Sequence, residues 1–196
     1  VSTLLALALL VLAASGCGGR TRYESTWKDP AASPITLSGQ RVAAFVFTGS
    51  DTTRRSAEDT LAREITARGA QGIPGYTLVP GPEPEDPAAS WQALQQAGVE
   101  GAVAMRVVGR DKETSYVPPT FTGYWVGMWP RAYEPGYTVT DTLVSVETRV
   151  YSVGQDRLLW SGKSVTTNPT RVDAFVKELS AKAAEEMQKA GLLTKR

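Results

Sequence analysis

The stretch from Thr138 to Val153 reads as one long β-strand, and it limits the fold more than any other feature of the chain. Val144, Val146 and Val150 point to one side, and Glu147, Arg149 and Tyr151 to the other, which is the period of two of a half-buried strand. Gly154-Gln155-Asp156 supplies a hairpin turn, and Arg157 to Thr167 returns as the next strand. A strand this long needs a sheet to lie in, and the sheet needs a cover. Val172, Phe175, Val176, Leu179, Ala183 and Met187 recur at helical spacing up to about Ala190, with Gly191 as a stop, and provide one.

The preceding half alternates strands and helices. Val42 to Phe47 is a short apolar run suited to a strand buried on both faces. Ser50 to Thr53 offers helix caps, and Ala57, Leu61 and Ile65 form one face of a helix from about Arg54 to Arg68 that ends near Gly69. Tyr76 to Val79 reads as a second strand, and Gly81 to Asp86 as a Pro/Glu loop. Asp86 before Pro87 predicts an N-cap with proline in the first helical position; Trp91 and Leu94 then face inward and Gly98 closes the helix. Ala102 to Val108 is a third apolar strand, continuing in polar form to Glu113. The expected architecture is α/β (α+β): a mixed β-sheet with helices packed on one face, in the order β-α-β-α-β-β-β-α.

Composition narrows the chemistry. The sequence has no histidine and one cysteine, Cys17, so Ser-His-Asp and Cys-His triads and an intrachain disulfide are excluded. The net charge of +1, with both signs mixed, lacks the basic stripe of a nucleic-acid-binding protein. No calcium loop, Walker loop, Gly-x-Ser-x-Gly elbow or dinucleotide fingerprint occurs in the sequence. Neither an enzymatic activity, a cofactor nor a metal is expected.

Leu4 to Ala14 is an unbroken run of Leu, Ala and Val, shorter than the roughly 20 residues a membrane-spanning helix needs and suited to a secretory signal. It stops at Ala14-Ser15-Gly16-Cys17, which resembles the lipobox of bacterial lipoproteins, although Ala14 stands where that pattern usually has leucine. The resemblance implies cleavage before Cys17 and acylation of that cysteine with fatty chains such as palmitate. Each buried CH₂ contributes about 0.8 kcal/mol, so several chains hold a protein firmly on a membrane. Gly18, rather than Asp, follows the cysteine, and by the same resemblance favours the outer membrane and a periplasm-facing domain. Residues 1–16 are then a signal peptide, 17–39 the lipid anchor and a polar tether, and 40–194 a single domain.

Thr26-Trp27-Lys28-Asp29-Pro30, Tyr116-Val117-Pro118-Pro119, Glu147-Thr148-Arg149-Val150-Tyr151, Leu158-Leu159-Trp160-Ser161-Gly162 and the closing Gly191-Leu192-Leu193 together resemble an uncharacterised family of proteobacterial envelope lipoproteins. The element order is similar to that of the curli secretion lipoprotein, the lipoprotein activator of penicillin-binding proteins and the amino-terminal domain of TolB. That likeness implies an adaptor or assembly accessory, and fold alone does not fix function.

The candidate contact surface is aromatic. Tyr116, Phe121, Tyr124, Trp125, Trp129, Tyr133 and Tyr137 crowd the long connection 116–137. Such side chains suit a surface for an envelope protein or for peptidoglycan or another glycan; the alternative is a loop folded back onto the sheet. Other candidates have plainer explanations. Ser25-Thr26-Trp27-Lys28 matches Ser-x-x-Lys without its Ser-Asp-Asn and Lys-Thr-Gly partners. Asp111 with Glu113, and Glu83, Glu85 and Asp86, read as solvated charges. Arg54 and Arg55 read as solvated too, paired locally with Glu58 and Asp59. Trp160 reads as core.

Overall fold

A computed structural model describes residues 20–31, 36–79, 87–118, 120–121, 133–134 and 136–194. The signal peptide, Cys17, the Glu83–Asp86 cluster with its cap, and Tyr124, Trp125 and Trp129 lie outside the described residues.

The elements are β1 (Arg20–Lys28), β2 (Arg41–Phe47), α1 (Asp51–Thr66), β3 (Gln71–Pro74), a 3₁₀ turn (Gly75–Thr77), α2 (Pro87–Gln96), β4 (Gly101–Val117), β5 (Thr120–Phe121), β6 (Tyr133–Glu134), β7 (Tyr137–Ser152), β8 (Arg157–Thr167) and α3 (Val172–Lys189). Six strands form one mixed sheet in the order β1-β8-β7-β4-β2-β3, and β5 pairs with β6 in a separate ladder. β2 runs parallel to β3 and β4, and the other pairs in the large sheet are antiparallel. The expected order of elements is present, with β1 added at its start and the short strands β5 and β6 between β4 and β7.

Local chemistry accounts for most boundaries. Ser50 caps α1, its hydroxyl accepting from the Thr53 N–H at 3.3 Å. Gly98 and Gly191 follow α2 and α3 with φ of 64° and 75°, the left-handed geometry that ends helices without a Cβ penalty.

Two cores lie on opposite sides of the sheet. Leu61 and Ile65 of α1 and Leu179, Ala183 and Met187 of α3 bury with Val42, Ala44, Val103, Met105, Val146, Val150 and Trp160. Complete burial of a Leu, Ile or Met side chain stabilises by about 1.5–3 kcal/mol. Ala43, Ala102 and Val153 point the other way and pack with Leu94 of α2, flanked by Phe45, Trp91 and Tyr151. The single helical face expected from sequence therefore describes α1 and α3, while α2 covers a corner of the second face. Strand order explains the division. The β2-α1-β3 connection steps outward and the β3-α2-β4 connection steps back across β2, so two right-handed crossovers place their helices on opposite faces.

Two expectations are corrected. The polar leader is not a free tether throughout, because residues 20–28 form edge strand β1 along β8. Its inward residues bond by polar groups: the Thr21 N–H donates to the Glu178 carboxylate at 2.6 Å, Thr21 and Thr166 hydroxyls meet at 2.8 Å, and the Tyr23 hydroxyl donates to Thr148 at 3.4 Å. Asp29 beyond it pairs with Arg157, which holds its carboxyl below the usual range. The second correction moves the strand expected at Tyr76–Val79 to Gln71–Pro74. The Tyr76 N–H donates to the Glu58 carboxylate at 2.6 Å instead of a sheet ladder. A Cβ at Gly72 would overlap the Ala62 backbone, so glycine lets α1 lie close over β3.

Candidate functional site

β4 and β7 outrun their neighbours. β2 pairs with β4 only as far as Arg106, and β8 pairs with β7 only from Leu143 onward. From Lys112↔Thr142 to Val117↔Tyr137 the two strands pair with each other alone. Six residues at about 3.4 Å each make a two-stranded ribbon reaching about 20 Å beyond the sheet. Thr114 and Thr140 hydrogen-bond across it at 3.3 Å.

Opposed residues share a face, so register sorts the charges. Arg110, opposite Val144, and Lys112, opposite Thr142, lie on the face continuous with α1 and α3. Asp111, opposite Leu143, and the opposed pair Glu113 and Asp141 lie on the other. Asn168 donates to Asp141 at 2.7 Å and accepts from the Thr142 N–H at 2.8 Å, bracing the ribbon where it leaves the body.

The ribbon ends in the aromatic segment. Tyr116 is 65% exposed and Tyr137 59%, so neither packs back onto the sheet. They occupy opposite faces, Tyr116 opposite Thr138 and Tyr137 opposite Val117. Phe121 and Tyr133 are register partners in the β5–β6 ladder. Described parts of 116–137 thus form a jutting ribbon and a short second ladder.

The remaining candidates resolve into structure. Trp160 is buried against Tyr23, ring centroids 5.8 Å apart, and burial pushes the Tyr23 phenol up to about 12. Ser25 and Lys28 fall on opposite faces of β1, Ser25 opposite Lys163 and Lys28 opposite Trp160, and the Lys28 ammonium donates to the Ala190 carbonyl at 2.7 Å. Ser-x-x-Lys chemistry needs both groups in one pocket, so this match is incidental. Arg54 is the departure: it is buried at 3% exposure, bonded to Asp51 at 2.6 Å and facing buried Glu58 at 3.6 Å. Arg55 remains outside with Asp51 at 2.8 Å. Among the described residues no group of three His, Cys, Asp or Glu side chains could hold a metal ion.

A concavity on the sheet is a feature that the sequence does not display. Phe47, Ala104, Arg106, Glu147, Arg149 and Tyr151 line a cup of about 240 Å³ on the sheet face away from α1 and α3. Phe47 is opposite Arg106, Arg106 opposite Glu147, and Ala104 opposite Arg149. The small Ala104 leaves the floor between larger side chains. The Arg106 guanidinium lies over the Phe47 ring, 5.1 Å from its centroid. Arg149 is ion-paired with Glu147 at 3.0 Å, and Tyr151 and Glu147 beside it push its guanidinium above the ordinary value. The alternation of Glu147, Arg149 and Tyr151 is visible in the sequence; their placement beside Phe47 and Arg106 depends on a strand order that it does not display.

No family model matches the chain, and no curated protein does. Among solved structures it is similar to a PelC dodecamer from Paraburkholderia phytofirmans, with 14% identity over 91% of this chain and 99% of that one and a TM-score of 0.49. It is also similar to lipoprotein GNA1162 from Neisseria meningitidis, with 11% identity over 80% of this chain and 99% of that one and a TM-score of 0.43.

Proposed function

We propose that this protein is a lipid-anchored adaptor or assembly accessory of the bacterial cell envelope, held by acyl chains on Cys17 and docking a partner at the end of its β4–β7 ribbon. The observation that carries this reading is the ribbon itself. A two-stranded projection about 20 Å long costs stability and buries little. This one presents exposed Tyr116 and Tyr137 on opposite faces and leads into the aromatic segment with Trp125 and Trp129. Tyr and Trp offer large, stiff contact area at low entropic cost, the property that concentrates binding energy at interfaces.

The anchor supplies the location. Ala14-Ser15-Gly16-Cys17 after an apolar run supports lipidation, and Gly18 supports an outer-membrane, periplasm-facing position. The protein in this reading catalyses nothing; it holds a partner near the membrane.

Photocrosslinkers placed at Tyr116 and Tyr137 in the native envelope test the reading, with Glu64 on α1 as the control site. A single protein crosslinked from both ribbon positions, and lost on changing Trp125 and Trp129 to Ala, is the expected result. Capture of peptidoglycan fragments in its place would make the protein a glycan-binding module. Unchanged membrane fractionation of Cys17→Ser would overturn the anchor.

A further inference from the structure

We infer that the cup over Ala104 is a binding site for a carboxylated sugar, separate from the ribbon and independent of the adaptor reading. Two guanidinium groups converge on it from neighbouring strands, and each is already positioned. Arg106 lies over the Phe47 ring at 5.1 Å, and Arg149 is ion-paired with Glu147 at 3.0 Å. A guanidinium matches a carboxylate with two parallel N–H donors, and a fixed one loses less entropy on binding.

The rest of the lining chooses the kind of acid. Phe47, Tyr151 and Ala104 offer apolar surface for the C–H face of a ring, while Glu147 has acceptor capacity for a hydroxyl. Two cations and one carboxylate favour an anion with hydroxyl groups over a neutral sugar. At about 240 Å³ the space falls below the roughly 300 Å³ where drug-sized pockets begin, so it admits one sugar unit of a chain and leaves the rest in solvent.

The test is calorimetric titration of the detergent-solubilised full chain with oligogalacturonate, neutral galacto-oligosaccharide and inorganic phosphate. Oligogalacturonate binding is expected, with neutral sugar and phosphate weaker by at least about tenfold, the worth of one charge-assisted hydrogen bond. Ala104→Leu fills the floor and Arg149→Gln removes one fork; each should weaken binding by about tenfold or more. Arg149 is half exposed, so that variant tests the site even where Ala104→Leu disturbs folding. No binding, equal binding of the neutral sugar, equal or tighter binding of phosphate, or binding indifferent to Arg149→Gln overturns the assignment.

Discussion

Replacing Glu58 by Ala should destabilise the domain by about 3 kcal/mol, more than replacing its partner Arg54 by Met. The Glu58 side chain is 1% exposed and performs three tasks. One oxygen accepts from the Val46 N–H at 3.3 Å and faces Arg54 at 3.6 Å, and the other accepts from the Tyr76 N–H at 2.6 Å. Removal orphans two backbone donors, at about 1–3 kcal/mol each, and deprives a buried cation of one counter-charge. Breaking a buried pair costs about 3–5 kcal/mol, and the low end applies because Arg54 keeps Asp51 at 2.6 Å. Arg54→Met leaves both Glu58 hydrogen bonds intact and lets the carboxyl, which burial already raises, take up a proton in place of the lost cation, so it should cost less, about 1 kcal/mol. Urea unfolding followed by tryptophan fluorescence measures both, and a Tm loss of about 10 °C should accompany Glu58→Ala. Equal costs for the two variants, or less than about 1 kcal/mol for Glu58→Ala, would refute the view that Glu58 joins α1 to the ends of β2 and β3.

Burial pushes the Glu58 carboxyl above its ordinary value of 4.5, outweighing the N–H donors and Arg54 that lower it. Its proton is held more tightly folded than unfolded, so the wild type's margin over Glu58→Gln should shrink as pH rises from about 4.5 through the folded pKa, and a margin that grows in urea melts across that window contradicts the assignment. A Cβ at Gly162 would sit 2.5 Å from the Trp160 indole and 2.7 Å from the Tyr23 ring, so Gly162→Ala should cost about 1–3 kcal/mol and alter the tryptophan emission. Tyr23 should titrate late, near pH 12, in a spectrophotometric titration, and Tyr23→Phe should reduce the late amplitude by one phenol. Tyr116→Ala with Tyr137→Ala should leave the thermal melt within about 0.5 kcal/mol of wild type, since both rings are exposed.

The sequence displayed the elements whose signal is periodic. The long strand, its hairpin and the closing helix show in Val144, Val146 and Val150 and in the Leu179, Ala183 and Met187 face, because one side of each is uniformly apolar. β1 was hidden because its inward residues Thr21 and Tyr23 satisfy themselves by hydrogen bonds, leaving no apolar alternation to detect. β3 was misplaced because its only large apolar residue is Ile73, while the apolar Tyr76–Val79 stretch next to it folds as a turn tied to Glu58. Buried Arg54 resembled a surface charge for a related reason: local spacing reveals that Glu58 is a neighbour but not that both lie inside. Of the candidate surface, the aromatic crowding was legible and the ribbon was not, since its length follows from where β2 and β8 stop.

The sorting of charge along β4 bears on how copies of the protein meet one another. A bare pair of strands invites another copy to extend it edge to edge. When two β4 edges meet antiparallel about a two-fold axis, opposed side chains lie on a common face, so the register that sets Arg110 against Lys112 also sets Asp111 against its own copy, and the register two residues along sets Asp111 against Glu113 and Lys112 against its own copy. Sliding the register by two residues restores the same conflict, and slipping by one is forbidden by the pleat. If the protein is anchored as proposed, many copies on one leaflet can therefore bring their β4 edges side by side without zipping them into a common sheet.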